Sequence, residues 1–144
     1  MARYRRVKKN LSGFSAEGGE LVAYFHGPSV MKMVANFFGE TGRSLEEYYF
    51  WNGQLIFELQ TENRYDKPLS GKVVSKIEKR FYFKEDKMIR WIGENDKELA
   101  SDSAEYAPKQ ADYLKMSKQF VDGAKSKAAT IEVLNVNLFL PDAE

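Results

Sequence analysis

The chain contains no cysteine, a single histidine, His26, and only four prolines among its 144 residues. Without thiols there can be no disulfide, thiol catalysis, cysteine-type zinc site or iron–sulfur cluster. One histidine beside Gly27, with no H-E-x-x-H pattern and no aspartate-rich calcium loop, supplies no metal-ligand set and reads as a turn residue. Phosphate cradles are missing as well: Gly39-Glu40-Thr41-Gly42 lacks the lysine of a P-loop, and Gly18-Gly19 runs into the acidic Glu20. No metal, no cofactor and no catalytic constellation is therefore expected.

No apolar run approaches the roughly 20 residues of a membrane-crossing helix. The basic start is not followed by the apolar stretch of an export signal, so the expected location is the periplasm or cell envelope if such a signal has been removed, and otherwise the cytoplasm. Neither sign of charge is in excess. With 22 Lys and Arg against 21 Asp and Glu, a net charge of +1 gives no specific nucleic-acid signal. The local exception, Arg3, Arg5, Arg6, Lys8 and Lys9, reads as a solvated edge strand protected by charge.

What the sequence does have is aromatics, 14% of residues, gathered beside turn signals: Tyr24-Phe25-His26-Gly27, Phe37-Phe38-Gly39, Tyr49-Phe50-Trp51-Asn52-Gly53 and Phe81-Tyr82-Phe83-Lys84-Glu85-Asp86. Aromatic side chains suit a pleated surface, and Asn-Gly between alternating apolar residues is a hairpin signal. Strands are expected near residues 4–9, 21–25, 30–38, 45–51, 54–61, 74–83 and 88–92. Beyond Gly93 the composition turns polar. Pro108 in a first turn, followed by Tyr113, Met116, Phe120, Val121 and Ala124 at helical spacing, predicts an amphipathic helix over about 108–127. Residues 128–140 fit a strand or a helix equally well. The fold class is thus α+β: an antiparallel β-meander of about seven strands with a C-terminal amphipathic helix packed on it, one domain over 1–144, with the meander in 1–93 and the helix and tail in 94–144.

A two-residue turn at Asn52-Gly53 pairs Phe50 with Leu55, Tyr48 with Phe57 and Glu46 with Leu59 on the core face. The other face pairs Trp51 with Gln54, Tyr49 with Ile56, and Glu47 with Glu58. Like charges directly opposed across strands are destabilising, so the Glu47/Glu58 pair calls for a bridging cation such as Lys32 or Arg80, for a ligand, or for two solvated carboxylates. The second hairpin pairs Phe83 with Met88 and Phe81 with Arg90, and on its other face Tyr82 with Ile89 and Arg80 with Trp91, where a cation–π contact is expected. Both faces are substantially apolar, and one helix covers only part of the second. The remainder suits a groove, a ligand cavity or a subunit interface.

In Ala16-Glu17-Gly18-Gly19-Glu20, Phe38-Gly39-Glu40-Thr41-Gly42-Arg43, Tyr48-Tyr49-Phe50 with Asn52-Gly53, and Arg80-Phe81-Tyr82-Phe83 with Lys87-Met88-Ile89-Arg90-Trp91, the chain resembles a group of small uncharacterised bacterial proteins whose members commonly carry an export or lipoprotein signal. The likeness covers about residues 1–115 and implies a shared fold and an envelope location; it assigns no catalytic residue. The expected function is a non-enzymatic binding or interaction module of the bacterial cell envelope, with Glu47, Tyr49, Trp51, Glu58, Arg80 and Trp91 as ligand-contacting residues. Its partner would be a protein, a small molecule or a second copy of the chain. The competing class is a small hydrolase working through Glu47 and Glu58.

Overall fold

The computed structural model describes residues 3–132. Seven strands run antiparallel in chain order: β1 (Arg5–Ser12), β2 (Gly19–His26), β3 (Ser29–Phe38), β4 (Gly42–Trp51), β5 (Gln54–Tyr65), β6 (Val73–Lys84) and β7 (Lys87–Ile92). After a short turn and the helix α1 (Tyr106–Lys125), an eighth strand, β8 (Thr130–Glu132), returns to lie parallel to β1, giving the sheet order β7-β6-β5-β4-β3-β2-β1-β8. The architecture is the expected α+β meander with a helix packed on it, extended by this one strand. Of the ambiguous 128–140 segment, 130–132 is strand, and 133–140 lies outside the described residues.

Local sequence explains the elements. β2, β3 and β4 alternate buried and half-buried positions along their length, the period-2 signature of a sheet with one covered face. Asn52 (φ 51°) and Gly53 (φ 76°) both occupy the left-handed region, as a type I′ turn demands. In α1 the buried Tyr106, Tyr113, Met116, Phe120 and Ala124 recur at three, four and seven residues and form one stripe. That stripe crosses the sheet. Tyr106 meets Trp91 of β7, Tyr113 meets Phe81 of β6, and Phe120 packs on Tyr48 of β4 and Phe37 of β3. Ile131 of β8 then closes against Gly123, where a Cβ would come within 2.6 Å of its side chain.

Three expectations are corrected. β1 is not an edge strand, because β8 pairs with it. Lys9 is buried rather than solvated, and its ammonium donates to the carbonyls of Ser126 and Ala128. In each hairpin a β-bulge two cross-strand pairs beyond the turn shifts the register by one. Phe50 faces Leu55 and Trp51 faces Gln54 as expected, but beyond the bulge Tyr49 faces Phe57, Tyr48 faces Glu58, Glu47 faces Leu59 and Glu46 faces Gln60. In the second hairpin Phe83 faces Met88, whereas Phe81 faces Trp91, Tyr82 faces Arg90 and Arg80 faces Ile92. Because the side-chain period is two, one inserted residue exchanges the faces of everything beyond it.

Candidate functional site

The bulges decide which of the expected site residues share a surface. Cross-strand partners lie on the same face of a sheet, so the pairings can be followed from strand to strand. One row on the outer face, away from α1, runs Arg6, Tyr24, Lys32, Tyr49, Phe57, Tyr82, Arg90, one residue from each of β1 to β7. The Lys32 ammonium lies 5.9 Å from the centre of the Tyr24 ring and 5.1 Å from that of Tyr49. Tyr49 stands 5.8 Å from Phe57, which stands 4.9 Å from Tyr82. All five central members are half-buried, each leaving part of its side chain in solvent.

Basic residues surround this row. The neighbouring pairings place Arg6, Lys8, Lys32, Arg43, Lys76, Arg80, Lys84, Lys87 and Arg90 on the outer face, with the acids Glu20, Glu47, Glu78, Glu98 and, on β8, Glu132. A protein of near-zero net charge has thus collected positive charge on one surface. Several of these charges are held in ion pairs: Lys8 with Glu20 at 3.1 Å, Lys32 with Glu47 at 3.8 Å, Arg80 with Glu78 at 3.1 Å and Asp96 at 3.4 Å, and Arg90 with Glu98 at 3.3 Å. The Tyr49 hydroxyl donates to Glu47 at 2.8 Å, and partial burial together with that carboxylate pushes its pKa up, against the opposing effect of Lys32.

Glu47, Tyr49 and Arg80 therefore share the outer face, and Lys32 is the cation that answers Glu47. Trp51, 63% exposed, stands at the tip of its hairpin. Glu58 and Trp91 are elsewhere, buried on the inner face under α1. Glu47 and Glu58 lie on opposite sides of the sheet and cannot act on one substrate together, so the two-carboxylate hydrolase geometry does not form. Arg80 does not cover Trp91; its guanidinium pairs with Glu78 and Asp96, and Lys109 from α1 lies 5.8 Å from the Trp91 ring.

The carboxylate that does accompany Glu58 is Glu46, which the unbulged register had set among the core residues opposite Leu59. Both are fully excluded from solvent. Glu46 faces Gln60 and Glu58 faces Tyr48, which makes the two glutamates diagonal neighbours on the inner face. Tyr48 donates to Glu46 Oε1 at 2.6 Å, and Tyr113 of α1 donates to Gln60 at 2.9 Å. Glu46 Oε2 and both carboxyl oxygens of Glu58 have no hydrogen-bond partner among the described residues. An ionised carboxylate in such surroundings is strongly disfavoured. Burial raises Glu46 to about 7, against the Tyr48 hydrogen bond and the Lys109 charge, and burial plus the charge of Glu46 holds Glu58 well above the ordinary range. This inner pair was hidden from sequence reading by one residue, Ile56, whose insertion into the β5 bulge nothing in its identity announces.

Among the described residues no group of three or more His, Cys, Asp or Glu side chains is placed to hold a metal, and no helix is long and apolar enough to cross a membrane. No family model, no curated protein and no solved structure matches the chain.

Proposed function

We propose that the chain is a non-enzymatic binding module of the bacterial cell envelope that presents its outer sheet face to an anionic glycan polymer. The observation that carries the reading is the aromatic–cation row from Arg6 to Arg90, set within a surface on which basic residues outnumber acidic ones. Aromatic flanks of Tyr24, Tyr49 and Tyr82 offer apolar contact to sugar rings, and the interleaved cations attract acidic groups along a chain lying across the strands. With strands about 4.8 Å apart, the five central residues span on the order of 19 Å, enough for several sugar units. The envelope assignment rests on the resemblance of the hairpin segments to exported bacterial proteins.

Dextran sulfate, uncharged dextran and a single-stranded oligonucleotide serve as probes. The module is expected to bind dextran sulfate, to ignore dextran, and to lose most of its affinity in Tyr49→Ala and in the Arg6→Glu, Arg90→Glu double variant. Failure to bind any polyanion would overturn the reading, and tighter binding of the oligonucleotide would transfer the same face to nucleic acid.

A further inference from the structure

The inner pair, Glu46 and Glu58, takes no part in the outer face and lies where α1 is laid over β4, β5 and β6. We propose that the attachment of α1 is proton-linked: as neutral acids the two glutamates let the helix close, and ionisation of the pair releases its N-terminal half from the sheet.

The geometry behind this is the seal over the two carboxyls. Both have no solvent exposure, three of their four oxygens have no partner among the described residues, and the covering group on the helix side is Tyr113, whose ring lies 4.6 Å from Phe81, the cross-strand neighbour of Glu58. A negative charge here can regain hydration only if that cover lifts.

The other charged and titratable groups around the pair do not provide an alternative. β4 supplies Tyr48, whose hydroxyl already donates to Glu46. β5 supplies Glu62, a third acid on the same face. β6 places Lys79 opposite Gln60, and β3 places only Ala35 opposite Glu46. α1 contributes Asp112, Tyr113 and Lys109, and the Lys109 charge favours ionisation of both carboxyls. That ammonium is seated against Tyr113 and Trp91, 5.5 and 5.8 Å from the ring centres, and a single cation cannot offset two buried carboxylates.

Only one half of the helix is affected. Its C-terminal half is fixed by Phe120 against Phe14, Phe37 and the ring of Tyr48, and is followed by the Lys9 bonds to Ser126 and Ala128; it reaches the acids only through Tyr48, whose hydroxyl already donates to Glu46. The N-terminal half is held by Tyr106 on Trp91, by Gln110 accepting from the Met88 amide at 2.8 Å, and by Tyr113 above the two acids.

Amide hydrogen exchange, corrected for intrinsic rates, tests this at mildly acidic and mildly alkaline pH. Protection over residues 106–116 is expected to fall about tenfold or more on the alkaline side, while residues 117–125 and β2–β3 keep theirs. In the Glu46→Gln, Glu58→Gln double variant the pH dependence should vanish. Loss of protection in both halves together, or a pH dependence that survives in the folded double variant, would overturn the proposal. Infrared spectroscopy of the unmodified protein provides a reading independent of the variants. A carbonyl band of buried carboxylic acid should be present at mildly acidic pH and disappear on the alkaline side, and its absence at acidic pH would also overturn the proposal.

Discussion

Single residues set the strand geometry. Gly53 has φ 76° with nothing within 4 Å of where a Cβ would stand, so the demand on it is conformational rather than steric. Gly53→Val should cost more than about 1 kcal/mol, since a β-branched residue is forced into the left-handed region, and a thermal melt measures it. Gly42 is the opposite case: a Cβ there would stand 3.2 Å from the Arg64 Cα and closer still to the Asn63 carbonyl oxygen of the paired strand. Gly42→Ala should therefore destabilise by about 1–3 kcal/mol through backbone displacement, read as a lower urea midpoint at unchanged m-value. Glu58 is informative through charge. In the unbulged register it would be a surface acid opposite Glu47, and removing its charge would help only at low salt. Because it is buried beside Glu46, Glu58→Gln should instead alter stability by an amount that does not change with ionic strength, which denaturation at two salt concentrations will reveal.

At the scale of elements, α1 is the cover without which the inner face of the meander would be exposed. Phe120 has no solvent exposure and meets Phe14, Phe37 and Tyr48, so Phe120→Ala should cost about 3–5 kcal/mol. Lys118, two residues earlier, is exposed and among the described residues pairs with Asp122, one helical turn on, at 2.9 Å, and Lys118→Ala should cost no more than about 0.5 kcal/mol. Equal losses in chemical denaturation would mean that the buried stripe had been assigned to the wrong side of the helix. β8 adds a second constraint. Its parallel pairing with β1 needs the chain to leave α1 and cross back beside Gly123, and the absence of a side chain there makes room for Ile131.

For the whole molecule, burial of two acids links stability to pH with a definite sign. In the unfolded chain a glutamate loses its proton near pH 4.5, whereas folded Glu46 keeps it to about 7 and Glu58 keeps it beyond the ordinary range. Between those values the native state binds more protons than the unfolded state, so stability is greatest below about pH 4.5 as far as these two groups are concerned and falls as the pH rises through 7. Urea midpoints across that window should decline, and the decline should flatten in the Glu46→Gln, Glu58→Gln double variant. A rising midpoint would place the two acids in ionised form. The outer face obeys a different rule, since its charges are partly solvated: its association with polyanions should weaken steeply with salt while the inner pair is indifferent to it.

Sequence by itself determined the class of this protein and much of its element map. Aromatic alternation, the Asn52-Gly53 turn and the spacing of Tyr113, Met116, Phe120 and Ala124 are local signals, and each acts through backbone conformation or period within a few residues. The absence of cysteine and the solitary His26 likewise confined the chemistry without reference to any fold. Tertiary structure alone decided which residues share a surface. A bulge at Ile56 and another at Ile89 cost one residue of register each; those steps moved Glu58 away from Glu47 and beside Glu46, separated Arg80 from Trp91, and, with a third bulge at Met31 between β2 and β3, assembled the row from Arg6 to Arg90. Bulges are chosen by how two faces pack over many strands, so no short stretch of sequence encodes them. The return of β8 to β1 depends in the same way on contacts more than a hundred residues apart, where Lys9 reaches the carbonyl of Ser126.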